Sequence, residues 1–156
     1  MSLRSTRAVT LLGLVLILAG VNYSIYHKER VIRTGETIYL ELAPVDPRSL
    51  MQGDYMALRF RLADRIESRR DTEGRTRTAP LIVDERGVAS LAPGASDLHI
   101  AFKIRGGRVW LGTNASFFEE GTAGRFTDAR YGEFRIDLTT GEAVLVGLRD
   151  EGLNPL

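Results

Sequence analysis

An uninterrupted apolar stretch near the N-terminus constrains this chain more than any other feature. From Ala8 to Tyr26 the sequence has nineteen positions without a charged residue. A helix of that length extends about 28 Å, close to the roughly 30 Å hydrocarbon core of a bilayer. Basic residues flank the stretch on both sides, and Tyr23 and Tyr26 fall where interfacial aromatic residues are common. The pattern predicts a single transmembrane helix.

A cleaved signal peptide is the alternative interpretation of this stretch, because it also combines a basic start with an apolar segment. A lipoprotein signal is excluded, since Val21 stands where that pathway requires a cysteine. We expect an uncleaved anchor over residues 1–30 and an exported domain over residues 31–156. The flanking positive charges nearly balance, and we expect the N-terminus on the cytoplasmic side with the C-terminal domain in the periplasm.

Composition narrows the classes of site that the remaining residues can form. The chain of 156 residues contains no cysteine, which excludes disulfides and thiolate chemistry. Its only histidines are His27 and His99, so a multi-histidine zinc site is not expected, and we predict no metal or other cofactor. The formal net charge is +1, with arginines and acids interleaved, so nucleic acid is not an expected partner.

Beyond Arg33 the sequence alternates apolar and polar residues, as half-buried strands do. Glu36 to Leu42 and Tyr55 to Leu62 both show this alternation, whereas Ala63 to Arg70 fits one or two helical turns and Asp71 to Thr78 a polar surface loop. Three hairpins are predicted downstream, with strands at Pro80–Val83 and Val88–Leu91, at Leu98–Ile104 and Arg108–Leu111, and at Tyr131–Leu138 and Glu142–Leu148. We therefore predict a mainly β domain, a small antiparallel β-sandwich or open barrel, preceded by one transmembrane helix.

Three details of these hairpins are specific enough to test. Gly106 and Gly107 are expected to supply the positive φ of a tight turn. In the last hairpin, Phe134, Ile136 and Leu138 are expected to face the core. Trp110 is expected to pack in the core or on a sheet face.

The segment Pro44 to Phe60 contains a recognisable motif. Gly53, Asp54, Tyr55 and Leu58 match the signature for which the GDYXXLXY family is named, and Phe60 stands where the name has tyrosine. A second segment, from Ala129 to Asp137, also resembles this family. The resemblance implies a bacterial inner-membrane protein without an assigned activity or cofactor. It further implies a multi-pass membrane protein as partner.

Binding residues often lie on loops held by a rigid sheet, and we expect the main recognition surface on the loop from Pro44 to Tyr55. On that basis the candidate binding residues are Asp46, Arg48, Gly53, Asp54, Tyr55, Arg59, Tyr131 and Glu133. For the Gly-Asp pair a purely structural turn is the alternative, since aspartate side chains accept backbone N–H groups at turns. For Tyr131 and Glu133 the alternative is a bend that enters a strand.

Catalysis is not the favoured function, and no catalytic residue is assigned. We expect a binding or assembly module within a membrane complex, and the sequence does not identify a small-molecule ligand. One enzymatic alternative is a membrane-anchored serine peptidase, for which Ser49 and Lys103 are the available pair. A soluble periplasmic carrier, released by cleavage of the anchor, is the other alternative.

Overall fold

The structure is a computed structural model, and it describes residues 3–43, 51–52, 55–68, 77–113, 115–117 and 123–156. Two α-helices and ten strands are present in these ranges. The helices are α1 (Leu3–Thr34) and α2 (Arg61–Ser68), and a short 3-10 helix covers Ala123–Phe126. The strands are β1 (Glu36–Glu41), β2 (Met51–Gln52), β3 (Tyr55–Ala57), β4 (Arg77–Val83), β5 (Ala89–Leu91), β6 (His99–Arg105), β7 (Arg108–Trp110), β8 (Ala115–Phe117), β9 (Tyr131–Ile136) and β10 (Ala143–Arg149).

Helix α1 contains the apolar stretch and continues beyond it. Its segment Val9–Thr34 is long and apolar enough to cross a membrane. The large apolar side chains from Val9 to Tyr26 are exposed to the surroundings of the molecule. Because burying such side chains in lipid is favourable, this surface is typical of a membrane helix.

The strands form three antiparallel sheets. One has the order β1-β9-β10, the second β5-β4-β6-β7, and the third β2-β3-β8. In the first sheet β9 is central, and Phe134 lies opposite Ile38 on β1 and Leu145 on β10. An isolated bridge between Tyr39 and Val88 brings β1 to the start of β5. The predicted fold class, mainly antiparallel β after one long apolar helix, is confirmed.

A hydrophobic core joins the sheets β1-β9-β10 and β5-β4-β6-β7 and α2. Its fully buried side chains include Ile38, Leu40, Leu81, Ile100, Leu111, Phe134 and Ile136. Helix α2 contributes Leu62, Ala63 and Ile66 to the same core. Its Glu67 accepts a hydrogen bond from the backbone N–H of Val109 at 2.6 Å, which fixes the helix on β7. The three predicted hairpins are all present, and Gly106 and Gly107 have φ of 57° and 78° as expected.

Three details of the sequence prediction are wrong. The strand predicted from Tyr55 to Leu62 ends at Ala57, and Leu62 lies in α2. The alternation there is shared with a helical pattern, because Leu62 and Ile66 are four residues apart and lie on one helix face. Residues 77 and 78, predicted as loop, belong to β4, and residues 71–76 lie outside the described ranges.

The third error concerns Leu138, which is 48% exposed instead of facing the core. Strand β9 ends at Ile136, and Asp137 begins a turn. The two-residue alternation that would have turned Leu138 inward therefore stops two residues before it.

Candidate functional site

The C-terminal end of α1 packs against the sheet β1-β9-β10. Val31 is only 1% exposed, in contrast to the exposed apolar side chains up to Tyr26. The backbone N–H of Gly35 donates to the Val31 carbonyl at 2.8 Å, and the Gly35 carbonyl accepts a hydrogen bond from the Arg135 guanidinium at 3.3 Å. Gly35 is the one residue between α1 and β1, so the helix continues into the sheet without a linker.

A carboxylate from the connection between β9 and β10 holds the preceding turn of α1. His27 Nε2 lies 2.8 Å from Oε2 of Glu142, and Lys28 Nζ donates to Oε1 at 2.5 Å. The hydrogen bond from Lys28 is the main cause that holds the pKa of Glu142 below its ordinary value of 4.5. The Glu142 side chain is 30% exposed, so solvent screens these charges only in part. We call His27, Lys28 and Glu142 the junction cluster.

The connection that carries Glu142 is itself ordered by local hydrogen bonds. The Asp137 carboxylate accepts hydrogen bonds from the backbone N–H of Thr139 at 2.8 Å and of Thr140 at 3.0 Å. These bonds, with that of Thr140 first, lower the pKa of Asp137 below 3.8. An aspartate that caps its own turn is a common way to fix a short connection. Glu142 is therefore presented to α1 from a defined backbone.

A cleft of about 390 Å³ opens beside the junction cluster, between Lys28 and the hairpin formed by β6 and β7. The charged side chains that line it are Lys28, Lys103, Arg105 and Glu142. Trp110 forms part of the wall, and the Arg105 guanidinium lies 5.4 Å from the centre of its ring. This distance is within the range of a cation-π contact. We call this cavity the basic cleft.

Glu133 and Arg149 form a second polar cluster, on the other side of β9 from Phe134. Glu133 is 8% exposed and is a buried carboxylate. Arg149 Nε donates to Glu133 Oε2 at 2.8 Å, and its Nη2 donates to the same oxygen. A buried charge needs such a partner, since an unpaired one costs several kcal/mol of desolvation. Glu133 therefore stabilises the strand pair, and its carboxylate is already occupied.

Tyr131 lies two residues before Glu133, at the beginning of β9. The guanidinium of Arg86 stands 5.8 Å from the centre of the Tyr131 ring. Arg86 also donates to the carbonyl of Glu151 at 2.7 Å. The pair joins the β4-β5 turn to the C-terminal segment, and Tyr131 remains half-exposed.

The two sequence segments that carry the family resemblance meet in the core. Phe60 is 1% exposed, and its ring packs edge-on against Phe134 with 5.2 Å between the ring centres. A Cβ atom on Gly132 would lie 2.8 Å from the Phe60 ring, so the close approach requires glycine there. Leu58 is also buried. In this chain the last motif position is filled by a ring in an apolar environment, which needs no hydroxyl.

Comparison with known protein families identifies a match for the chain. The family model described as GDYXXLXY protein matches residues 17–148, which is most of the chain. The chain belongs to the GDYXXLXY family. No curated protein and no solved structure matches it.

For this GDYXXLXY protein the structure tests only some of the predicted site residues. Asp46, Arg48, Gly53 and Asp54 lie outside the described residues, as does Ser49, so the loop hypothesis stays a prediction. Tyr55 lies in β3, and only its backbone is described.

Arg59 is described and exposed. Its Nε donates to Asp64 at 2.8 Å, near the beginning of α2. The two side chains are 51% and 39% exposed, so solvent screens the pair and its contribution to stability is small. Lys103, the base of the peptidase alternative, is exposed as well. Within the described part of the chain, no three His, Asp or Glu side chains gather as a metal site would require.

Sequence reasoning did not identify the junction cluster or the basic cleft of this GDYXXLXY protein. His27 and Lys28 were recognisable only as polar residues that follow the apolar stretch. Glu142 was one acid among many at a strand end. The only sequence signal for the basic cleft is compositional. The chain has two lysines and one tryptophan, and all three residues, Lys28, Lys103 and Trp110, line this cleft.

Proposed function

We propose that this GDYXXLXY protein is a binding or assembly module in a membrane protein complex. In this proposal residues 1–30 are a single-pass anchor in the bacterial inner membrane, with the N-terminus in the cytoplasm. Residues 31–156 form the periplasmic domain. The partner is a multi-pass membrane protein.

The observation that carries the proposal is the attachment of α1 to the β domain. Val31 is buried against the sheet, and the junction cluster ties the turn before it to the β9-β10 connection. A domain on a long linker can search a volume, whereas one continuous with its helix is held at a given height and orientation. Such restriction is of use to a component that meets partners in the same membrane.

The proposal has two candidate regions for partner binding. The first is the segment from Pro44 to Tyr55, which remains the predicted recognition loop. The second is the half-exposed Tyr131 with Arg86, since tyrosine and arginine are both enriched in protein interfaces. Glu133 is a poorer candidate because Arg149 already satisfies its carboxylate.

Co-purification of the tagged full-length chain in mild detergent tests the proposal. We expect a multi-pass membrane protein to be retained with the wild type and lost with Asp54→Ala or Tyr55→Ala if the loop binds. It should be lost with Tyr131→Ala if the second surface binds. Arg125→Ala, an exposed position in the 3-10 helix, is the control. Retention of every partner by all three folded variants would contradict both surfaces.

Fractionation and a reporter fusion test the anchor and its orientation. An anchored chain should stay in membranes through an alkaline wash, whereas a released carrier would be stripped. A C-terminal alkaline phosphatase fusion should be active, since that enzyme folds only after export. An inactive phosphatase fusion with an active cytoplasmic reporter would contradict the periplasmic assignment.

A further inference from the structure

The basic cleft brings together residue types that are rare in the chain. Lys28 and Lys103 are its only lysines, and Trp110 is its only tryptophan. Three positive side chains and one carboxylate line the cavity, although the whole chain carries a formal net charge of only +1. The carboxylate, Glu142, already accepts hydrogen bonds from His27 and Lys28. The remaining charge of the cleft is positive.

The cleft also lies at a defined height along α1. The run of exposed apolar side chains that begins at Val9 ends at Tyr26, and Ile32 is the only apolar side chain exposed beyond it on α1. Lys28 follows Tyr26 by two residues, about 3 Å further along the axis. The polar headgroup layer on each side of a bilayer is roughly 5 to 8 Å thick. If α1 crosses the membrane as proposed above, the cleft therefore opens at the level of the headgroups.

The side chains around the cleft suit that level. Tyr23 and Tyr26 are exposed on α1 just before it, and Trp110 lines it, and these are the residue types of membrane interfaces. Thr140, from the same connection as Glu142, also lines the cleft. The cavity volume falls in the range of small-ligand pockets, about 300 to 1,000 Å³.

We propose that the basic cleft binds the phosphate group of an anionic phospholipid from the membrane that α1 crosses. Lys103 and Arg105, from β6, donate to the phosphate oxygens. Trp110 packs against the glycerol portion, and the acyl chains stay in the bilayer along the exposed surface of α1. Arginine and lysine are the usual phosphate donors in proteins. This inference rests on the proposed membrane anchoring.

Trp110 makes the proposal directly measurable, because no other tryptophan contributes to the emission. The full-length chain is reconstituted in phosphatidylcholine nanodiscs that contain increasing fractions of phosphatidylglycerol and are built with a scaffold protein that lacks tryptophan. We expect the Trp110 emission to shift and to saturate with phosphatidylglycerol. A nitroxide on the lipid headgroup should quench it more strongly than a nitroxide deep in the acyl chain. An equal response in pure phosphatidylcholine, or no response, would overturn the proposal.

Charge variants identify the site. The affinity for phosphatidylglycerol, measured from the Trp110 emission, should fall about fivefold in Lys103→Gln and in Arg105→Gln. This is the expected effect of one basic residue at an anionic surface. Lys103→Arg should restore most of the affinity, and Arg125→Gln, outside the cleft, should leave it unchanged. If Arg125→Gln weakened binding as much as Lys103→Gln, the attraction would be a general charge effect and the cleft assignment would be wrong.

Two further arms separate the possible failures. The first arm adds soluble glycerol phosphate to the chain in phosphatidylcholine nanodiscs. If a low concentration saturates the change in Trp110 emission, the cleft binds a free phosphate compound and the lipid assignment is wrong. An alkaline wash of the same chain in liposomes tests the anchor independently. A chain that resists the wash but shows no preference for phosphatidylglycerol would refute the cleft proposal and leave the anchor standing.

Discussion

Lys28 Nζ and Glu142 Oε1 lie 2.5 Å apart although 114 positions separate the two residues in the chain. The contact joins α1, about two turns before its C-terminal end, to the connection between β9 and β10. With Val31 buried one turn later, it makes the helix and the sheet one continuous body. If α1 spans a membrane as proposed, the position of the β domain relative to that membrane is then set by α1.

The junction cluster should make stability depend on pH in the acidic range. The pKa of Glu142 is lower in the folded chain than its ordinary value of 4.5, so the unfolded chain binds more protons near that pH. The stabilisation is fully present above pH 4.5 and is lost as the pH falls through the lowered folded pKa. We expect it to amount to roughly 1 kcal/mol, since the group is partly exposed.

The stabilisation by Glu142 can be measured by thermal unfolding of the wild type and of Glu142→Gln in detergent, at a series of pH values from neutral downward. The difference between the two melting temperatures should be largest above pH 4.5 and should shrink as acid is added. Other carboxylates titrate in both proteins and cancel in the difference. Glu85→Gln, at an exposed turn, is the matched control. A constant difference across the range would contradict the assignment.

The buried pair of Glu133 and Arg149 should be sensitive to the loss of either partner. Glu133→Gln leaves the Arg149 guanidinium half-buried without its carboxylate, and we expect a loss of about 2 kcal/mol in the free energy of unfolding. Arg149→Met should cost a similar amount. Because the two residues are in contact, the double variant should lose less than the sum, as chemical denaturation can measure. Strictly additive losses would show that the pair contributes nothing.

Gly132→Ala tests the close packing that unites the two family segments. The new Cβ would lie 2.8 Å from the Phe60 ring, 3.0 Å from the Phe134 ring and 3.1 Å from Leu145. Overpacking of this kind costs about 1 to 3 kcal/mol. Gly147→Ala, on the neighbouring strand, is the control, since its nearest neighbour would be 3.9 Å away. Equal destabilisation of the two variants would show that glycine propensity, not contact with Phe60, sets the cost.

Asp137→Ala should loosen the connection that presents Glu142 to α1. It removes two hydrogen bonds to backbone N–H groups, from Thr139 and Thr140, and we expect a loss of about 1 kcal/mol. Asp137→Asn should keep most of the stability, because its side-chain oxygen can still accept. Hydrogen exchange at Thr139 and Thr140 should accelerate in the alanine variant alone. Similar exchange in both variants would argue against the capping role.

The strand content was predictable because most strands bury one face only. Ile38 and Leu40 are two residues apart and both are buried, as are Phe134 and Ile136. This two-residue spacing of apolar side chains is sufficient to assign β1 and β9 from sequence. The structure of the segment after Ala57 was not predictable, because two patterns overlap there. Leu58, Phe60 and Leu62 fit a strand, whereas Leu62 and Ile66 fit a helix. Tertiary contacts such as that of Glu67 with Val109 decide in favour of α2.

The candidate site was predictable only in part, for a different physical reason. Alternation correctly set Glu133 apart from the core face of β9, but it could not show that Arg149 covers that carboxylate. The junction cluster depends on a hairpin that returns to the end of α1 after more than a hundred residues. No local pattern encodes such a meeting, since charged residues that follow an apolar helix occur with or without a partner.

The most direct test of this account measures how firmly the β domain is held to α1. Since the chain has no cysteine, Tyr23→Cys and Glu85→Cys supply two unique positions for spin labels, both exposed. Pulsed electron spin resonance in nanodiscs should give a single narrow distribution of distances between the labels, and this distribution should broaden when Glu142→Gln is added. A broad distribution in the chain with intact Glu142 would mean that the domain moves freely on its helix, and would contradict the account.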